Sequence, residues 1–332
     1  MGLPGCAPRA HQTPPTASAQ RPGETPSPPE QRSDQTLNAD ERRVRLEMDR
    51  HIEKLSVTIG ERHAGKAWEL ADAADYLASE LEGLGYVIER QGYEWGGALA
   101  QNLAVTIPGG TRGAERVVVG AHYDGPPTGR GVTSAVSTAA LLELAHLMQG
   151  ARMERTLSLV FFGLGADPQL SPEARGARHF VRQLARRGGQ QPTQTQSTPA
   201  DSTGNVVAAL LLENLLLPGV PHDLPVQLTV AVTPLAVKWE AVLAGSIDDE
   251  LMVLSRGPWP TVESDGLAFS EHGIPSVVMG EPALREEANA ASSLALDRAA
   301  RALLRIRYAL GDWVIERPTN DAMVTPTGTQ LE

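Results

Sequence analysis

An α/β domain is what this sequence predicts, and three observations carry the expectation. Residues 117–119 (VVV) form a short β-branched run of the kind found in strands covered on both faces, and Ala121, His122, Tyr123 and Asp124 follow where such a strand would end. Residues 139–145 (AALLELA) then read as a helix, giving a strand, a turn and a helix in succession. The chain has 332 residues and is 41% hydrophobic, enough material for one large domain with a tail.

Residues 1–38 are rich in Pro, Ser, Thr, Gln and Arg, hold almost no large apolar side chains, and read as a disordered tether. The single cysteine lies in Leu3-Pro4-Gly5-Cys6, which resembles the end of a bacterial lipoprotein processing site, and one cysteine forms no disulfide within the chain. Two readings stay open. Cys6 is a lipid anchor for an extracytoplasmic domain, or it is an incidental thiol, since no apolar signal segment precedes it.

The main domain is expected over residues 39–316. Its most chemical feature is the turn after the buried strand, because ligands of open α/β sheets gather at strand carboxyl ends. His122 can offer a ring nitrogen to a metal while Asp124, two residues on, holds the other nitrogen and fixes the tautomer. Taken alone, the turn is equally well a histidine bonded inside a strand end. Residues 188–204 form a polar insert expected to be a mobile surface loop. Residues 206–212 read as an apolar strand ending at Glu213 and Asn214, 226–232 and 250–254 as later strands, and 294–313 as a closing helix with apolar residues at helical spacing. Residues 317–332 form a polar tail. The formal charge of −11 argues against nucleic acid or an anionic membrane surface as the main partner. No run approaches the roughly 18 apolar residues of a membrane-spanning helix.

Gly120-Ala121-His122-Tyr123-Asp124, followed after a loop by 139–145, resembles the zinc aminopeptidases of clan MH. That group contains secreted leucyl aminopeptidases, glutaminyl cyclase, glutamate carboxypeptidase and transferrin receptor. Five further segments resemble it in the right order between about residues 40 and 313. They are 74–77 (ADYL) through 84–87 (LGYV), 101–105 (QNLAV), 161–163 (FFG), 176–180 (GARHF), and Ser264-Asp265 with Gly273-Ile274-Pro275. The resemblance implies a three-layer α/β/α domain of zinc exopeptidase type, with a mixed, mostly parallel central sheet.

It also implies two metals held by five protein ligands, of which the first falls on His122. The aspartate bridging both metals falls on Val132, whose isopropyl group donates no electron pair. The glutamate pair, general base and then ligand, falls on Gly165 and Ala166. Asp167 lies one residue further, and a one-residue offset at a strand end turns a side chain to the other face. The fourth ligand, an aspartate, is matched by Glu213, which is equally an ordinary strand-end acid. The fifth is a histidine, and none follows His272; Arg285 falls near its place, with Asn289 where the segment has an aspartate. Asp124 and Asp265 are retained acids, the latter beside Gly266 where the family segment carries histidine.

His122 and Glu213 would both serve one metal, whereas a catalytic zinc normally keeps three protein ligands and a water. The resemblance with these substitutions implies a catalytically inactive family member, binding no cofactor and serving a binding, scaffolding or regulatory role toward a protein or peptide ligand. The alternative is an active metallo-aminopeptidase or amidohydrolase whose rearranged one-metal site uses His122, Glu213 and Asp167, with zinc as its cofactor.

Overall fold

The computed structural model describes residues 37–129, 131–188, 205–213, 215, 226–230, 252–256, 264–280 and 293–312. Cys6 and the expected tether up to residue 36, the insert over 189–204, Arg285, Asn289 and the C-terminal tail lie outside the described residues.

Asn38 opens helix α1 (Ala39–Glu53) with a capping box. Its side chain accepts from the Asp40 and Glu41 amides at 3.0 Å, and the Glu41 carboxylate accepts from the Asn38 amide at 2.8 Å. Val44, Met48, His51 and Ile52 recur at helical spacing, so α1 turns one face inward. A π-helical turn, Lys54–Ile59, leads towards α2 (Ala67–Gly83). That helix ends in a Schellman motif: the Tyr86 amide donates to the Leu81 carbonyl, the Gly85 amide to Glu82, and Gly85 sits at φ +83°. This cap occupies 84–86, and the first strand starts at Ile88.

Strands β1 (Ile88–Trp95) and β2 (Ala98–Ile107) form an antiparallel hairpin through Gly96 and Gly97. Strand β3 (Gly109–His122) is 14 residues long, well beyond the VVV run, with two register shifts before it settles into parallel pairing with β4 (Met153–Phe162). Between them α3 (Val132–Leu147) is buried on nearly every side. There follow α4 (Gly176–Gly188), β5 (Asn205–Leu212), a separate parallel pair β6 (Val226–Val230) and β7 (Met252–Arg256), α5 (Asp265–Ser270), β8 (Ser276–Met279) and α6 (Ser293–Asp312).

The six-stranded sheet has the order β1-β2-β4-β3-β5-β8, antiparallel as far as β4 and parallel beyond. The expected mixed, mostly parallel α/β sheet is therefore present. Side chains alternate across it as a period of two requires. Val117, Val119, Leu210 and Leu212 pack with α1, α2, α3 and α6, whereas Val118, Ala209, Leu211 and Val278 pack with α4 and α5. The same parity sends His122 and Glu213, each just past the apolar run of its strand, to the α5 face. No helix among the described residues is long and apolar enough to cross a membrane.

Candidate functional site

His122 and Glu213 meet the first turn of α5. His122 Nδ1 donates to Asp265 Oδ2 at 2.9 Å, with both groups buried, and the His122 carbonyl accepts from Thr138 Oγ1 at 2.9 Å. Glu213 Oε1 accepts from Ser264 Oγ at 3.0 Å and from the Gly266 amide at 3.3 Å. Asp265 Oδ1 is buried without a hydrogen-bond partner.

Burial alone would lower the His122 pKa. The Asp265 bond and charge, joined by Asp124 and Glu213, outweigh it and push the ring up to about 9. Burial, reinforced by the Asp265 charge, pushes Glu213 up to about 7 against the pull of His122, Ser264 and the Gly266 amide. Asp124 is raised by burial too, although His122 and two backbone amides oppose the rise. The carboxylate of Asp265 thus draws the His122 ring toward its protonated form.

Asp124 does not do what was expected of it. Its carboxylate accepts from the Gly165 amide at 2.7 Å and the Ala166 amide at 3.0 Å, and Asp265 takes the His122 nitrogen instead. The cause lies in β4, which ends at Phe162 and leaves the following amides without ladder partners; a buried carboxylate satisfies two of them. Leu164 in that turn is the one non-glycine described at positive φ, +53°. Arg175 completes the turn by donating to the Gly165 and Asp167 carbonyls.

Val132 is the first residue of α3 and only 3% exposed. The start of that helix is held by fully buried Arg62, which donates to the carbonyls of Tyr123 and Gly131 at 2.7 Å each and to Ser134 Oγ at 3.1 Å. At Gly165 a Cβ would stand 2.4 Å from His122 Cβ and 2.6 Å from its Cγ. At Gly266 a Cβ would stand 2.3 Å from Val278 Cγ2. With the present packing, neither position admits a side chain. Ala166 lies beside the Asp124 carboxylate, and Asp167 Oδ1 accepts from the Gln169 amide at 2.8 Å, a local turn bond. The structure therefore gathers His122, Glu213, Asp265 and the 165–166 turn, and leaves Asp167 outside. Among the described residues, the trio of acidic or histidine side chains whose donor atoms converge closely enough for an ion is elsewhere: Glu47, His51 and Glu143.

Sequence reasoning missed three groups that build this region. Asp265 stands in the sequence as a retained acid, and nothing there marks it as the partner of His122. Arg62 went unremarked, as did His51, whose partner Glu143 is an acid inside an apolar helical run; that isolation was the available signal of a buried pair. Asn102 ties three of the recognised segments together, donating to the Gly176 carbonyl at 2.9 Å and accepting from the Gly163 amide at 3.1 Å, while Tyr93 donates to the Gly163 carbonyl and stacks on His179.

Residues 102–293 match the model of peptidase family M28. No curated protein matches the chain significantly. Among solved structures, a leucine aminopeptidase precursor from Bacteroides thetaiotaomicron superposes with a TM-score of 0.58 at 16% identity, over 82% of this chain and 98% of that one. Fimbriiglobus ruber glutaminyl cyclase gives 0.59 at 21%, over 84% and 96%. A zinc-dependent exopeptidase from Parabacteroides distasonis gives 0.56 at 16%, over 82% and 99%. At these identities the likeness concerns the fold.

Proposed function

The chain belongs to peptidase family M28, and on that premise we propose that it is a pseudopeptidase, a peptidase-fold domain that binds a protein or peptide ligand without hydrolysing it. The observation that carries the reading is the state of His122. Its ring is bonded directly to Asp265 and fills the space into which a side chain at 165 would project.

The donors do not fit a pair of zinc ions. A pair about 3.5–4 Å apart needs an anion between its members, and Val132, where the bridging carboxylate is expected, is an alkyl group. Asp265, Asp124 and Glu213 push the His122 pKa up to about 9, so a proton competes with a metal for the ring. Glu213 is committed to Ser264 and Gly266. Among the described residues, Val132 and Gly165 supply neither a bridging carboxylate nor a base for activating water. The loss of a general base alone typically lowers rate by about 10² to 10⁴. We place the domain outside the cytoplasm, on the lipoprotein-like Cys6 segment.

The test is hydrolysis of aminoacyl-nitroanilides and short peptides by the purified chain, with and without added zinc, manganese or cobalt. Rates equal to buffer are expected throughout. Turnover that chelator abolishes and His122→Gln removes would establish the other reading, a one-metal hydrolase built on His122 and Glu213.

A further inference from the structure

About 16 Å along α3 from Val132, at 1.5 Å per residue, a second histidine is buried between helices. Glu47 and His51 stand four residues apart on α1, and Glu143 reaches them from α3; a donor atom of each lies within 4.8 Å of the others. His51 and Glu143 are buried, and Glu47 forms the solvent side of the cluster.

Two features separate this cluster from an ordinary ion pair. His51 Nδ1 lies 2.6 Å from the Tyr76 hydroxyl, which can accept the Nδ1 proton and leave the Nε2 lone pair facing the carboxylates. Glu143 Oε2 is buried with no hydrogen-bond partner, and Oε1 has His51 Nε2 at 3.3 Å. A buried carboxylate oxygen without a donor is costly, and a cation relieves it. The cluster already draws one: Arg50 Nη2 lies 3.4 Å from His51 Nε2, and Arg50 Nε 2.9 Å from Glu47 Oε2. The Arg50 side chain is half exposed and also holds Glu80 at 2.9 Å, so it can withdraw to Glu80 without losing its charge partner.

We propose that Glu47, His51 and Glu143 form a site for a divalent first-row transition metal ion, which displaces Arg50 toward Glu80 and clamps α1 to α3. One imidazole and two carboxylates, with water completing the shell, suit zinc or manganese. The proposal does not depend on the reading of His122, which lies at the other end of α3.

The experiment is calorimetric zinc titration of the untagged full chain and its variants, with circular dichroism confirming that each is folded. One zinc per chain is expected in the wild type and in His122→Gln. Glu47→Gln, on the exposed side, should weaken binding about tenfold, as loss of one of three protein ligands implies. Arg50→Ala should tighten it severalfold, because the competing charge is gone; a purely structural ion-pair network would lose stability and gain no zinc affinity. Zinc binding that persists in His51→Gln, or absence of binding in both folded wild type and folded Arg50→Ala, overturns the proposal. Zinc lost on His122→Gln but retained by His51→Gln overturns this site and the pseudopeptidase reading together, whereas hydrolysis tests the latter alone.

Discussion

His122 at the end of β3 and His51 on α1 are both buried beside carboxylates, yet the two rings face them in opposite ways. The Nδ1 of His122 meets a carboxylate at 2.9 Å, which favours the protonated ring. The Nδ1 of His51 meets a hydroxyl that can donate or accept, so its tautomer follows whatever Nε2 encounters. Either partner on Nδ1 leaves Nε2 able to meet a ligand. In this chain each cluster holds a buried carboxylate oxygen without a hydrogen-bond partner, Asp265 Oδ1 at the strand ends and Glu143 Oε2 between the helices; they differ in what meets the Nδ1 of the histidine, and so in the charge that Nδ1 faces.

The comparison breaks most readily at Gly165. Gly165→Glu forces a side chain into the His122 ring and adds a buried acid, so a loss of about 3–5 kcal/mol in chemical denaturation is expected. A neutral effect would mean that His122 moves aside easily and that the old geometry is still accessible.

A smaller effect separates the two histidines by pH. His122 titrates near 9 against a reference of 6.5, and Glu213 near 7 against 4.5, so the folded chain binds these protons more tightly than the unfolded one. Their stabilisation is full below about pH 4.5 and declines as pH rises, through 7 for Glu213 and then through 9 for His122, by about 3 kcal/mol for either group taken alone. His122→Gln should remove the upper part of this decline. A stability that rises between pH 6 and 9 would refute the assignment.

The smallest expected change sharpens the other side. Tyr76→Phe removes the group that holds His51 Nδ1 and should reduce zinc affinity about tenfold while costing only about 1 kcal/mol of stability. Unchanged affinity would show that the hydroxyl does not orient the ring.

The fold was legible because its signals are local. The apolar run at 117–119, the strand over 206–212 and the helix over 294–313 each carry their own periodicity, and six segments stood in order along the chain. At the site, His122 and Glu213 were legible because each ends a strand. Asp265 as the partner of His122 was not, since 143 residues separate them and only the packing of α5 against β3 and β5 unites them. The role of Asp124 was misjudged for a related reason. Spacing placed it beside His122, but unpaired amides beyond β4 compete for its carboxylate and win. The closure around Gly165 is set by how closely the backbone brings His122 Cβ to it, and it has no sequence signature.

The most direct measurement is nuclear magnetic resonance of the histidine ring nitrogens at pH 7.5, with and without one equivalent of zinc. His122 should show both nitrogens protonated and no response to zinc, as a ring pKa raised to about 9 by the surrounding acids implies. A neutral His122 whose Nε2 signal moves on adding zinc would contradict the pseudopeptidase reading at its foundation.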